Sequence, residues 1–245
     1  MDFTTFFDIC RDIFAKQDRL PTPTEEQARQ LFDLTQIMLE VNRHMNLTAI
    51  TDEESVILKH YADSLTVSHL IPTGAKVIDV GCGAGFPTLP LAIFRPDLQI
   101  LALDSTAKRI SYVQETAAKL GLTGVNAVAA RAEELAKQAQ HREQFDVATA
   151  RAVANLPVLA ELCLPFVRVG GKFIAMKAAK ANEEQEAARG AIVTCGGSLL
   201  SCHEAKLISR AGEADPRILI EIAKVSATPS KYPRHFSQIS KKPLS

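Results

Sequence analysis

The sequence predicts an α/β fold in which a seven-stranded, mostly parallel sheet follows a helical N-terminal extension. Between residues 76 and 192, short apolar runs rich in β-branched residues alternate with helix-length segments, as in consecutive βα units. Two further runs, 198–208 and 217–225, follow each other without a helix between them, so one strand is reversed. Residues 1–72 show helical periodicity and no strand periodicity. We therefore expect a helical cap (1–72), a sheet domain (73–225) and a C-terminal tail (226–245).

The composition limits the class of protein. The 245 residues are 47% hydrophobic and 23% charged, which is typical of a globular chain with a sizeable core. The formal net charge is zero, so a nucleic-acid partner would need a local basic patch. The five cysteines form no C-x-x-C pair, which disfavours a zinc site and disulfides and predicts reduced thiols. The cysteine spacing leads us to expect no metal. The sequence shows no signal peptide and no membrane-spanning run, so we expect a cytoplasmic protein.

The cap is predicted to contain three helices. Apolar residues recur at three- and four-residue spacing from Phe3 to Phe14, which makes one apolar helix face. Thr24 and Gln27 form the pattern of a capping box that opens a second helix, and a third helix runs from about residue 52 to 70. Two polar clusters, 42–48 and 59–64, interrupt the apolar pattern. Each is either a solvated helix end or a surface that faces a ligand.

A glycine-rich loop follows the first predicted strand. An apolar helix-length stretch resumes at Phe86, so the layout is that of a nucleotide-binding turn. Asp79, Gly81, Gly83 and Gly85 form the pattern D-x-G-x-G-x-G, whereas a dinucleotide fingerprint requires G-x-G-x-x-G. The pattern resembles the first motif of class I S-adenosylmethionine-dependent methyltransferases, which have a Rossmann-like fold. A carboxylate there suits a cationic sulphonium ligand and would repel a pyrophosphate. The alternative is a glycine turn that binds no ligand.

The later strands place polar residues at their carboxyl ends, where ligands bind in open α/β sheets. Asp104, after the second strand, can accept hydrogen bonds from both ribose hydroxyls, and it can also cap the next helix. Arg151, after the fourth strand, can pair with a cofactor carboxylate or a substrate phosphate, or form an incidental surface ion pair. The predicted strands are 77–80, 98–103, 125–130, 145–150, 172–176, 198–208 and 217–225. The predicted helices are 86–94, 106–120, 156–167 and 178–192, with a turn at 169–171, and residues 131–134 open a further polar helix.

The tail (226–245) loses the apolar pattern. It contains lysines and arginines but no acid, and it places them beside aromatic residues in Lys231–Phe236. Such a segment suits phosphate backbones and stacked bases. The alternative is a basic, frayed terminus.

Several blocks of the sequence together resemble the RsmG (GidB) family, bacterial methyltransferases that form 7-methylguanosine in the small-subunit (16S) ribosomal RNA. The blocks follow the order found in that family and cover most of the chain. The glycine loop alone would indicate only a class I methyltransferase. The blocks are 42–50 (NRHMNLTAI), 59–65 (KHYADSL), 77–91, 103–109 (LDSTAKR), 131–134, 150–154 (ARAVA), 170–177 and 231–234 (KYPR).

The resemblance implies that S-adenosylmethionine is the cofactor and that matching residues bind it. Gly81 and Phe86 would line the methionine and the nucleoside, and Arg151 would reach the site from the fourth strand. Asp79, Gly83 and Gly85 complete the loop. Three residues after the second strand would hold the ribose, and two residues after the third strand would flank the adenine. These five residues are Asp104, Ser105, Thr106, Ala132 and Glu133.

The resemblance also implies methyl transfer to nitrogen 7 of guanine, which has a free lone pair and no proton to lose. The enzyme's task is then alignment and exclusion of water, and we assign no catalytic base. The sequence after the fourth strand has no [N/D]-P-P-[Y/F] motif, which serves exocyclic amines. Guanine must be unstacked to be reached, which favours a loop in the RNA. Arg151 and four further residues are our hypothetical RNA contacts: His60, Lys177, Lys231 and Arg234.

The expected partner is 16S ribosomal RNA or the small ribosomal subunit, with no membrane, and the expected state is a monomer. Two other functions stay open. A methyltransferase acting on a protein or small molecule would keep the fold and cofactor and would explain the zero net charge. A non-catalytic ribosome-assembly factor would bind cofactor or RNA without turnover. A nicotinamide-dependent reductase is disfavoured by the loop spacing and by Asp79.

Overall fold

The β-branched runs of the sequence form one seven-stranded sheet in the computed structural model, which describes residues 1–178 and 181–244. The strand order is β3-β2-β1-β4-β5-β7-β6. The strands are β1 (Lys76–Val80), β2 (Gln99–Asp104), β3 (Val125–Ala129), β4 (Phe145–Arg151), β5 (Val167–Ala178), β6 (Gly197–Ile208) and β7 (Ala214–Lys224).

The sheet is parallel from β3 to β5, and β7 runs antiparallel to both of its neighbours. The predicted seven-stranded sheet with one reversed strand is therefore confirmed. The strand order changes direction between β1 and β4, because β2 and β3 lie on one side of β1 and the later strands lie on the other. Open α/β sheets bind ligands at the carboxyl ends of the strands beside such a switch point.

Helices connect the parallel strands near the positions predicted for them. The helix predicted at 86–94 begins at Thr88, because the loop continues through Pro87. The helix predicted at 178–192 begins at Ala181; residues 179–180 lie outside the described residues. These helices are α5 (Thr88–Phe94), α6 (Ala107–Lys119), α7 (Ala132–Leu135), α8 (Leu156–Cys163) and α9 (Ala181–Thr194).

The sequence prediction was wrong at 164–171. The predicted helix 156–167 ends at Cys163, a 3-10 turn (Leu164–Phe166) follows, and Val167 already belongs to β5. The predicted turn at 169–171 is an irregularity inside β5, where the pairing jumps from Phe145–Val167 to Val147–Lys172. Glycine is needed there because a Cβ at Gly171 would lie 2.5 Å from the Asp146 carbonyl oxygen.

The N-terminal residues form helices without strands, as predicted. Thr24 and Gln27 make the capping box that opens the second helix. The third predicted helix divides into segments, the central one a π-helical stretch. The elements are α1 (Phe3–Ala15), α2 (Glu25–Met45), α3 (Glu53–Val56), the π-helical stretch (Ile57–Ala62), α4 (Asp63–Leu65) and a 3-10 turn (Ser68–Leu70).

The N-terminal helices share a hydrophobic core with the sheet. Phe14 and Leu31 belong to the same buried cluster as Val77 of β1 and Ile100 of β2. The tail packs on the other side of the sheet, where helix α10 (Phe236–Lys241) buries Ile239 in a second cluster. The division of the chain at residues 72 and 225 stays a prediction.

Candidate functional site

A cavity of about 720 Å³ opens at the carboxyl ends of the parallel strands. The loops after β1, β2, β3 and β4 line it, and so do segments of the N-terminal helices, β7 and the tail. Nine of the residues singled out from the sequence line this cavity: His60, Gly81, Gly83, Phe86, Asp104, Ser105, Ala132, Glu133 and Arg151.

The glycine loop after β1 is held by hydrogen bonds to the backbone of β2. The N–H groups of Gly81 and Cys82 both donate to the Leu103 carbonyl, at 2.7 and 3.0 Å. Gly83 has a φ of +55°, and a Cβ at this position would meet nothing within 4 Å. The loop therefore presents bare backbone to open cavity space, which is the surface that a closely approaching ligand requires.

Asp104 joins the ends of β1 and β2. Its carboxylate accepts hydrogen bonds from the Gly83 N–H at 3.1 Å and from the Thr106 N–H at 2.8 Å. The Arg109 guanidinium lies 3.7 Å from the same carboxylate. Asp104 is buried but still lines the cavity, so its remaining lone pairs can accept hydrogen bonds from a ligand hydroxyl.

Glu133 fixes the turn after β3. Its buried carboxylate accepts a hydrogen bond from Arg131 Nε at 2.7 Å. The Arg131 guanidinium lies 4.8 Å above the ring of Phe236, which the tail brings to the cavity. A carboxylate, a cation and an aromatic ring therefore follow one another along this side of the cavity.

Two arginines meet one carboxylate on the side formed by the N-terminal helices. Arg151 Nη1 donates to Asp63 at 3.0 Å and to the Lys59 carbonyl at 3.1 Å. Arg217 Nε, from β7, donates to the other oxygen of Asp63 at 2.9 Å. Because all four residues line the cavity, this ion-pair cluster also ties the N-terminal helices to β4 and β7.

His60 stacks on Phe86 in the same part of the cavity, with ring centroids 4.4 Å apart and planes 12° from parallel. Burial, together with the nearby charge of Arg151, lowers the pKa of His60 to about 4. His60 Nε2 and Thr48 Oγ1 share a hydrogen bond at 2.9 Å. His60 is therefore neutral at physiological pH and contributes a flat, uncharged surface.

A family model described as rRNA small subunit methyltransferase G matches residues 27–211 of this sequence. The chain belongs to this family. Two relatives named ribosomal RNA small subunit methyltransferase G show the extent of the similarity. The protein from Lactobacillus delbrueckii subsp. bulgaricus is 45% identical over 227 residues, which cover 91% of this chain and 93% of the relative. The protein from Levilactobacillus brevis is 48% identical over 229 residues, covering 91% and 92%.

Solved structures with the same fold are more distant in sequence. M. jannaschii TYW2 in complex with AdoMet has a TM-score of 0.53 and 15% identity, over 67% of this chain and 75% of its own. The [4+2]-cyclase SpnF has a TM-score of 0.53 and 17% identity, over 83% and 97%. These similarities show the fold alone. The predictions of the family, the Rossmann-like methyltransferase fold and the S-adenosylmethionine cofactor are confirmed.

The family's cofactor fits the cavity of this member. The cavity offers a polar surface at the Gly83 backbone and the Asp104 carboxylate, and it has aromatic rings on two sides. These surfaces suit the polar and the aromatic parts of the cofactor. Among residues 1–178 and 181–244, no group of three or more His, Cys, Asp or Glu is placed to hold a metal ion. Within the same residues, no helix is long and apolar enough to cross a membrane.

Three predicted cofactor residues lie behind the cavity lining. Asp79 is buried and accepts hydrogen bonds from Thr88 Oγ1 at 2.7 Å and Thr149 Oγ1 at 3.4 Å. Burial raises its pKa to about 6, although the Thr88 hydrogen bond opposes the shift. Gly85 has a φ of +84° and packs against Leu89, and the N–H of Thr106 bonds to Asp104. These residues shape the loop and the strand ends from behind.

Two of the predicted RNA contacts are engaged in ion pairs away from the cavity. Lys177 Nζ donates to the Ala154 carbonyl and pairs with Glu184, both at 2.7 Å. Arg234 binds the fully buried Glu161 through two guanidinium nitrogens. Lys231 is exposed, with its ammonium 5.2 Å above the ring of Tyr232.

The other lining residues were not predicted as site residues; they include Thr48, Asp63, Arg217 and Phe236. Thr48 and Asp63 lie inside the two polar clusters noted from the sequence. Thr48 pairs with His60 of the second cluster, whereas the partners of Asp63, Arg151 and Arg217, are 88 and 154 positions away. Asp63 is the only acid in the block 59–65, which otherwise contains a lysine, a histidine and a tyrosine. This lone carboxylate was the signal in the sequence that it pairs with a cation elsewhere in the chain.

Proposed function

We propose that this member of the family transfers the methyl group of S-adenosylmethionine to nitrogen 7 of a guanosine in small-subunit (16S) ribosomal RNA. The observation that carries the proposal is the cavity at the strand ends, which combines a glycine loop with an arginine-lined opening. The relatives' name, ribosomal RNA small subunit methyltransferase G, supports the substrate class. The resemblance of the sequence blocks supports the position on the base.

In this proposal the predicted cofactor residues divide the task. Gly81, Gly83 and Phe86 position the methionine part, and Asp104 with Ser105 binds the ribose hydroxyls. Ala132 and Glu133 flank the adenine. Asp79, Gly85 and Thr106 hold the loop and strand ends in shape, and Arg151 lies at the boundary between the cofactor and the acceptor base.

The chemistry asks for alignment rather than proton transfer. S-adenosylmethionine supplies an electrophilic methyl group on a sulphonium. Nitrogen 7 of guanine carries a lone pair, so a displacement needs no general base. The neutral His60–Phe86 stack is a suitable flat surface for a purine, and it excludes water without adding charge.

RNA would approach the side of the cavity where Arg151 and Arg217 lie, because paired guanidinium groups can also bind phosphate. Exposed Lys231 is a candidate for backbone contact, and His60 for contact with the base. Lys177 and Arg234 can contact RNA only if phosphate groups displace their partners, Glu184 and Glu161. We also propose that the protein works as a cytoplasmic monomer, with residues 1–72 as a cap over the cofactor domain.

The proposal is tested by incubating the protein with methyl-labelled S-adenosylmethionine and small-subunit particles that lack the modification, and then identifying the labelled nucleoside. Label in 7-methylguanosine supports it. Gly81→Ala should abolish labelling, because its Cβ would lie 2.6 Å from Val153 Cγ2. Arg151→Ala should do the same. Gly74→Ala, at a positive-φ glycine away from the cavity, is the matched control.

Absence of label on RNA, despite cofactor binding, would contradict the proposal and favour a protein or small-molecule substrate. If cells that carry an inactive Gly81→Ala variant keep the wild-type phenotype, the assembly-factor alternative is favoured.

A further inference from the structure

The family model matches residues 27–211, but the chain continues and returns to the cavity. Residues 226–241, here called the C-terminal strap, run from the end of β7 past the turn after β3. Phe236 of this strap lines the cavity, although it lies beyond the matched residues. The strap is therefore a candidate for a role in the cavity that the family match does not cover.

The first half of the strap is held by hydrogen bonds from two cations, Arg142 and Lys224. Arg142 donates from Nη1 to the Tyr232 carbonyl at 2.9 Å and from Nη2 to the Thr228 carbonyl at 2.7 Å. Lys224, which is fully buried, donates to Thr228 Oγ1 at 2.7 Å. These bonds fix the backbone of the strap at two places before it reaches the cavity.

The second half is tied by an ion pair and by apolar packing. Arg234 pairs with Glu161 of α8 at 2.6 Å, and its backbone N–H donates to the same carboxylate at 2.8 Å. Ile239 is fully buried in the second hydrophobic cluster. Phe236 lies between these two anchors, so its backbone is held in place on both sides.

The ring of Phe236 is held beside the turn after β3. Arg131 lies 4.8 Å above it, and buried Glu133 holds Arg131 by a hydrogen bond of 2.7 Å. Ala130 and Ala132 pack against the same hydrophobic cluster as Phe236. This is the part of the cavity to which the proposed function assigns the adenine.

We propose that the C-terminal strap forms the adenine-side wall of the cofactor cavity and that Phe236 contacts the purine ring. The proposal rests on the cofactor placement given under the proposed function. An anchored aromatic ring costs little conformational entropy on binding and provides a sequence-independent stacking surface. A base stacking on Phe236 from the RNA instead would leave cofactor affinity unchanged, so cofactor binding without RNA separates the two.

The chain contains no tryptophan, so Phe236→Trp introduces a single tryptophan at this wall, which can be excited selectively over the three tyrosines. We expect S-adenosylhomocysteine, without RNA, to change its emission in a saturable way, because the purine would contact the indole. Gln238→Trp is the matched control: it lies two residues further on the same helix, is exposed, and is outside the cavity. Its emission should not change.

A second variant measures the contribution to affinity. Phe236→Ala should raise the Kd for S-adenosylhomocysteine about tenfold, the scale of one base–aromatic stack. Gln238→Ala should leave the Kd unchanged. Circular dichroism and the thermal transition of each variant show whether the fold is retained.

The outcomes separate this inference from the proposed function. If the wild type binds S-adenosylhomocysteine, and neither the emission of Phe236→Trp nor the Kd of Phe236→Ala changes, the strap inference is overturned and the function stands. If the wild type does not bind the ligand, the cofactor placement fails and the inference fails with it. An equal emission change in Gln238→Trp would indicate a general movement of the strap and would also overturn it.

Discussion

The cavity has two walls that are built differently. The inner wall consists of the loops after β1, β2 and β3. Backbone N–H groups of the first loop donate to the Leu103 carbonyl and to the Asp104 carboxylate at the end of β2, and these hydrogen bonds hold it. The outer wall consists of Thr48, His60, Asp63, Arg217 and Phe236, which come from the N-terminal helices, β7 and the strap.

The contacts that hold the outer wall are between distant parts of the chain. Asp63 pairs with Arg151 and Arg217 over 88 and 154 positions, and Glu161 pairs with Arg234 over 73. The inner wall therefore depends on backbone geometry, whereas the outer wall depends on partly buried charges. The two walls should respond to different substitutions.

The largest effect is expected at the anchor of the outer wall. Arg234→Ala would leave the carboxylate of Glu161, which is 0% exposed, without its cation. We expect the free energy of unfolding to fall by about 3–5 kcal/mol, measured by urea denaturation, because a buried charge without a partner is costly.

Lys241→Ala removes the same charge from an exposed position at the end of α10 and should change stability by less than about 0.5 kcal/mol. A loss below about 1 kcal/mol for Arg234→Ala would show that the strap is held mainly by its apolar contacts.

The two walls should also depend on pH with opposite signs. Burial raises the pKa of Asp79, behind the inner wall, from 3.8 to about 6, so the folded state keeps a proton that the unfolded chain has lost. Its contribution to stability falls as the pH rises through this window. Burial lowers the pKa of His60 from 6.5 to about 4, so its contribution falls as the pH decreases.

Unfolding of the wild type, Asp79→Asn and His60→Gln at pH 4.5 and pH 7 checks this. From pH 4.5 to pH 7, the free energy of unfolding of the wild type should fall by about 2 kcal/mol relative to that of Asp79→Asn. Over the same range it should rise by about 2 kcal/mol relative to that of His60→Gln. Shifts of the same sign in both comparisons would rule out opposite titration of the two walls.

Backbone geometry at the inner wall is tested by two glycines with similar conformations. Gly83 and Gly74 have φ values of +55° and +69°, and a Cβ at either would meet nothing within 4 Å. Substitution by alanine should therefore destabilise both by about 1–2 kcal/mol. Only Gly83 lines the cavity, so only Gly83→Ala should weaken binding of S-adenosylhomocysteine, by about tenfold or more, in calorimetric titration. Equal affinities in the two variants would place the ligand elsewhere.

The difference between the walls also explains what the sequence could predict. Strands and helices follow from local periodicity, and the inner wall follows from a short motif, because all of its determinants lie within a few residues of a strand end. Gly83 and Asp104 were identified in this way, and they hydrogen-bond to each other. The bulge at 168–171 was missed because glycines that break a strand resemble a turn in the sequence.

The outer wall depends on pairings that local pattern does not contain. Lys177 and Arg234 resemble free cations in the sequence, yet Glu184 and Glu161 pair with them. Asp63 acquires its role only when β7 brings Arg217 beside the N-terminal helices. Phe236 belongs to a segment whose mixture of cations and aromatic residues predicted contact with RNA, but nothing local indicated that it reaches the cavity beside the turn after β3.

The smallest effect concerns the part of the strap that remains exposed. Lys231 has no acidic partner among the described residues, so a phosphate of the RNA can bind it without breaking an ion pair. We expect Lys231→Ala to leave stability within about 0.5 kcal/mol of the wild type. It should weaken binding to unmodified small-subunit ribosomal RNA by about two- to threefold. It should also lower the slope of log affinity against log salt concentration by about one.

Lys119→Ala, which replaces an exposed lysine at the end of α6, is the matched control and should change neither quantity. If the two variants have the same salt slope, Lys231 makes no phosphate contact, and the RNA side of the outer wall is confined to the arginines around Asp63.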